Sequence, residues 1–199
     1  MATYKPNDSM TPELIRLMKI FGAASLVLVL IMSLFNERRA SNRADTDEFS
    51  ITSASRLYFK NVRRAYYDGE IRSDAKMELY RLGSRITDST ALVLNGTLII
   101  NKVKDAAYLF LEPQGDLKGL DTLYVRWTDS SGILKRSFFR QGDRYTHYRF
   151  IEEIFPYLDE AISFEVQLED RWVPILNDEK ERDALRITVK DFYQLVGRY

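Results

Sequence analysis

The one histidine of this 199-residue chain, His147, lies four residues after Asp143. On a helix that spacing puts both side chains on one face, where a carboxylate can fix the imidazole tautomer and ready it to move a proton. The pair is the strongest catalytic candidate in the chain, and a membrane-tethered, carboxylate-dependent hydrolase is the enzyme class it suggests. The same two residues also suit an ordinary polar pair on a helix surface. A zinc-peptidase helix needs a second histidine, which the chain lacks. Acids are plentiful, among them Glu152, Glu153, Glu165, Glu169, Asp170, Asp116 and Asp121. Glycoside hydrolysis needs two of them across a cleft, roughly 5–10 Å apart, and no spacing here selects a pair.

Other chemistries find less support. There is neither a Walker loop nor a GxGxxG motif, and Gly115-Asp116-Leu117-Lys118-Gly119 is only a glycine-bounded loop. Serine has no GxSxG context. Cysteine is absent, which excludes disulfides, thiolate nucleophiles and cysteine metal sites. No metal site and no cofactor is implied.

Binding is better represented. From Ser55 to Arg85 eight cations alternate with aromatic and apolar residues against Asp68, Glu70, Asp74 and Glu78, a net charge of +4. Arg56, Lys60, Arg63, Arg64, Arg72 and Lys76, with the tyrosines between them, form a candidate surface for anionic lipid, a glycan or an acidic partner. Each cation close to an anionic membrane is worth about 1 kcal/mol. A sheet face laced with internal salt bridges produces the same pattern. The whole chain is neutral, with 29 basic and 29 acidic side chains, and the part after residue 44 holds 23 basic against 26 acidic. That acidic excess argues against a dedicated nucleic-acid binder.

The elements that carry these residues follow from hydrophobic patterning. Ile20 to Phe35 contains no charge, and Leu14 to Phe35 gives 22 residues, enough to cross a bilayer. Thr11-Pro12-Glu13 reads as the start of that helix. Asn36-Glu37-Arg38-Arg39 follows the run in place of a small-residue cleavage site, so the segment is an uncleaved anchor and not a signal peptide. The expected organisation is a polar tail over 1–13, a transmembrane anchor over 14–35, a flexible linker over 36–50 and a soluble α+β domain over 51–199. Three cations lie on each side of the anchor, so the positive-inside count gives no orientation. The short tail ahead of the anchor favours a domain outside the cytoplasm. Gly22-Ala23-Ala24-Ser25 allows close helix packing without fixing a dimer, which leaves homo-oligomerisation open.

Within the domain, Asp68-Gly69 is a turn signal, and Asn95-Gly96 between two apolar runs predicts a type I′ hairpin. Further strands are expected over 76–82, 106–112, 123–127, 133–140 and 162–168, with Pro174 marking an edge. Gly142-Asp143 opens a helix ended near Pro156, and a last helix carries Leu185, Val189, Phe192 and Val196 on one stripe. The fold class is therefore α+β: a single transmembrane helix, then one small domain of mainly antiparallel sheet with about two packed helices. The expected function is a single-pass membrane interaction or scaffold protein whose domain binds a protein partner. The hydrolase and the lipid or glycan sensor are its rivals.

Overall fold

The computed structural model describes residues 11–34, 48–160 and 162–198. The chain divides into two units, residues 1–40 and 41–199. The first is the helix α1 (Pro12–Leu34). Thr11 caps it, its Oγ1 accepting the Leu14 N–H at 3.4 Å, and Pro12 takes the first helical position, where a missing N–H costs nothing. Pro12–Ser33 is long and apolar enough to cross a membrane, which makes α1 a candidate membrane helix by length and composition. Residues 1–10 of the expected polar tail over 1–13, the anchor's last residue Phe35 and residues 36–47 of the expected linker over 36–50 lie outside the described residues.

The second unit is α+β, built on two antiparallel four-stranded sheets rather than one. A helical run comes first: α2 (Ser53–Tyr58), then a π turn (Phe59–Arg63) and a 3₁₀ turn (Arg64–Tyr66). The first sheet is a meander of β1 (Tyr67–Arg72), β2 (Met77–Leu82), β3 (Leu94–Asn101) and β4 (Ala106–Pro113). The second has the order β6-β5-β7-β8, from β5 (Thr122–Thr128), β6 (Leu134–Arg140), β7 (Phe164–Leu168) and β8 (Arg171–Ile175). Helix α3 (Arg144–Ile154) crosses from β6 to β7 and packs on both β4 and β6, so it joins the sheets. Helix α4 (Glu179–Leu195) closes the chain against β3 and β4. One apolar core runs through both sheets and both long helices, with Leu98, Ile100, Phe139, Ile151, Phe164, Val166 and Phe192 fully enclosed.

Two turns expected from sequence are strand interior instead. Asp68 and Gly69 pair with Arg81 and Tyr80 inside β1. A Cβ at Gly69 would meet the Tyr80 ring at 3.5 Å, an ordinary van der Waals contact, so the packing there does not demand glycine. Asn95 and Gly96 sit inside β3, opposite Glu112 and Leu111. There a Cβ on Gly96 would stand 3.1 Å from Thr188 Cγ2 and 3.2 Å from Leu185 Cδ1, so the glycine lets α4 approach the sheet. Asn95 donates its side-chain N–H to the Ile86 carbonyl at 2.8 Å and is buried. Both residues answer to packing, not to a turn. The fold also begins before Ile51: Phe49 is fully buried and Ser50 bridges to Ala106.

Candidate functional site

Six cations from the basic stretch were candidates for a binding surface, and the fold turns half of them inward. Arg56 is buried and pairs with Asp105. Lys60 reaches Glu78 at 3.0 Å, where Lys102 also lies at 3.0 Å and Tyr80 donates its hydroxyl at 3.0 Å. Burial works against the Glu78 carboxylate, but the hydrogen bonds from Lys102, Lys60 and Tyr80 outweigh it and hold its pKa below the usual value. Arg63 meets the buried Asp191 of α4 at 2.8 Å, and Tyr67 donates its hydroxyl to the same carboxylate at 2.6 Å. That bond strengthens the Arg63 cation, and burial raises the Tyr67 phenol far above its ordinary range. Arg72 stays at the surface beside Asp74 and Glu70, Lys76 is exposed on the β1–β2 turn, and Arg64 is exposed. The stretch is therefore mostly internal wiring between the helical run, the first sheet and α4.

Asp143 and His147 lie on one helix yet do separate work. Asp143 is the N-cap of α3: its Oδ1 accepts the Tyr145 and Thr146 N–H groups, each at 3.1 Å, and the Thr146 hydroxyl at 2.9 Å. The Thr146 hydroxyl, with the two backbone donors, keeps its pKa low. His147 is buried between the Phe110 and Phe139 rings, with centroids at 4.3 and 4.9 Å. Its Nδ1 accepts the Leu111 N–H at 2.9 Å, on the edge of β4 that no strand covers. Desolvation pushes its pKa down to about 4 against a hydrogen bond to the Gly142 backbone. A neutral imidazole whose Nδ1 lone pair already accepts a backbone N–H has that lone pair engaged and is not free to act as a base.

A groove on the other side of α3 was not singled out by the sequence. It encloses about 690 Å³ and is lined by Arg136, Ser137 and Phe138 on β6, and by Asp143, Tyr145, Thr146, Arg149, Phe150 and Glu153 on or beside α3. Three consecutive strand residues line it, although successive side chains point to opposite faces. The groove therefore follows the backbone edge of β6, the outermost strand of its sheet. Ser137 donates its hydroxyl to Glu153 between the two walls. On the outer face of the sheet Phe138 stands opposite Tyr124, 64% and 53% exposed, with ring centroids 6.5 Å apart.

Charge distinguishes this region from the basic stretch. Arg136, Arg140 and Arg149 are all exposed, and among the described residues none has a carboxylate within ion-pair distance. Asp143 and Glu153 are already engaged by the helix cap and by Ser137. The available signal in the sequence was Lys135-Arg136-Ser137-Phe138-Phe139-Arg140, cations and aromatics interleaved on a strand. Its meaning depends on β6 being an edge, which the sequence does not state. No protein-family model matches the chain, and no curated protein or solved structure matches it either.

Proposed function

We propose that the chain is a single-pass, membrane-anchored interaction protein whose globular unit binds an extended, acidic segment of a partner protein along the free edge of β6. In this reading residues 14–35 lie in the bilayer and the globular unit faces outside the cytoplasm. The observation that carries the reading is the groove itself, which runs between α3 and an edge strand and is flanked by Arg136, Arg140 and Arg149, none with a carboxylate in ion-pair distance among the described residues. An uncovered strand edge offers backbone N–H and C=O groups to an added strand, and alternate side chains of that strand supply specificity. Exposed arginines favour carboxylates, because the guanidinium fork donates an N–H to each of the two oxygens. Phe138 and Tyr145 supply apolar anchors beside them.

The test uses the full chain in mild detergent and two labelled peptides, one alternating valine with glutamate and one alternating valine with lysine. The acidic peptide is expected to bind, to weaken as salt is raised, and to lose binding in Arg136→Glu/Arg149→Glu, while the lysine peptide stays free. Equal binding of the two peptides, or binding indifferent to the double reversal, refutes the reading.

A further inference from the structure

The helical run of residues 53–66 is built inside out. Its inward side carries Arg56, Phe59, Lys60 and Arg63, and three of these are charged. Its outward side carries Leu57, Tyr58, Val62 and Tyr66, exposed by 60%, 42%, 47% and 60%. Spacings of one, four and five residues from Leu57 to Tyr58, Asn61 and Val62 keep these positions on one side of the helix. A soluble helix buries its apolar stripe and shows its charges to water. Here the charges are satisfied inside by Asp105, Glu78 and Asp191, and the apolar stripe is left outside. A contiguous apolar patch of this kind marks a surface that something covers.

We propose that the bilayer interface covers it, so that the globular unit rests on the membrane through Leu57, Tyr58, Val62 and Tyr66. The inference rests on the membrane anchoring proposed above and is independent of the β6 groove. Three features select lipid over a protein partner. Residues 53–66 contain no acid, and Arg64, the cation left exposed once the other three are paired inside, has no ion-pair partner among the described residues. Tyrosines at positions 58 and 66 flank Val62, and tyrosine favours the head-group level, where its ring is in hydrocarbon and its hydroxyl in water. Only 18 residues separate Leu34 from Ser53, so the run can stand no more than about 60 Å of extended chain from the end of α1. A tether of that length makes even a weak interfacial contact effective.

The chain has no cysteine, so single-cysteine variants carry one label each. The full chain with Leu57→Cys, Val62→Cys, or the control Asp170→Cys on the β7–β8 turn is labelled with a nitroxide. It is reconstituted into nanodiscs of phosphatidylcholine and phosphatidylglycerol at three to one. Collision with oxygen, which concentrates in lipid, is compared with collision with a water-soluble nickel chelate. The ratio of oxygen to nickel collisions is expected to be several-fold higher at 57 and 62 than at 170, and to fall in nanodiscs of phosphatidylcholine alone. Equal ratios at 57, 62 and 170 overturn the proposal. So does shielding of 57 and 62 that persists in detergent and grows with protein concentration, which assigns the face to a second copy of the chain. A Val27→Cys label on α1 reports the anchor separately, so failure of the docking is distinguishable from failure to insert.

Discussion

Two buried titratable groups oppose each other, and removing either should expose the other. Glu181, in the first turn of α4, accepts the Leu94 N–H at 3.0 Å on one oxygen and the Leu176 N–H at 2.9 Å on the other. It clamps the start of β3 to the end of β8, and burial pushes its pKa from an ordinary 4.5 up to about 7 despite the two donors. Its contribution to stability is complete below pH 4.5 and is lost as pH rises through 7. His147 behaves in the opposite sense: with its pKa pushed from 6.5 down to about 4, its contribution is complete above pH 6.5 and is lost as pH falls through 4. Between pH 5 and 6.5 each changes stability by about 1.6 kcal/mol, in opposite directions, so the parent chain is nearly flat there. Glu181→Gln should therefore gain about 1.6 kcal/mol from pH 5 to 6.5, and His147→Asn should lose a similar amount. Urea unfolding in non-ionic detergent, followed by Trp127 and Trp172 fluorescence, measures the difference from the parent at each pH. That subtraction cancels every carboxylate the chains share. A Glu181→Gln profile as flat as the parent's would falsify the opposition.

Four further substitutions probe the scaffold that holds these sites. Asp191→Ala strands Arg63 and the Tyr67 hydroxyl at a buried position, so the urea midpoint should drop by the equivalent of about 3 kcal/mol. Arg72→Ala, whose partners Asp74 and Glu70 are at the surface, should leave the midpoint where it is. Gly96→Ala should cost about 1–2 kcal/mol by forcing α4 off the sheet, because its Cβ would stand 3.1 Å from Thr188 Cγ2. Adding Thr188→Ser removes that methyl group and keeps the hydroxyl bonded to the Ala184 carbonyl, so it should restore part of the loss in the same unfolding assay.

Much of the fold is legible in local patterning. Leu123, Val125 and Trp127 are buried, as are Phe164, Val166 and Leu168, each set alternating with exposed or half-buried neighbours. Pro174 lies on the edge strand β8, where its missing N–H breaks no inner ladder. Asp178 caps α4 and Asp143 caps α3, as their positions ahead of the two helices imply. Legibility stops where one residue type serves two purposes. Glycine after asparagine or aspartate suits a turn, yet both pairs lie inside strands, and Gly96 is there to admit α4. From Leu57 to Tyr66 neither a helical nor a strand pattern prevails, because the run buries charge and exposes apolar side chains.

The site was illegible for a related reason, which concerns distance along the chain. Whether a cation is free to bind depends on where its carboxylate comes from. Arg56 is matched by Asp105, Lys60 by Glu78 and Arg63 by Asp191, separations of 49, 18 and 128 residues. No window short enough to show periodicity contains such pairs. Counted locally, residues 56–85 and residues 135–149 each carry a net charge of +4; after folding, the first set is largely spent on internal carboxylates, while Arg136, Arg140 and Arg149 of the second have no carboxylate within ion-pair distance among the described residues. The distinction has an energetic basis. A half-buried arginine such as Arg63 is tolerated only with its carboxylate in place, so its availability to a ligand would be bought with stability. Arg136 and Arg149 remain solvated, and a ligand carboxylate has only water to displace from them. In the proposed reading, binding follows from arginines at the β6 edge with no carboxylate in ion-pair distance among the described residues, and that can be read only once the fold has placed those carboxylates.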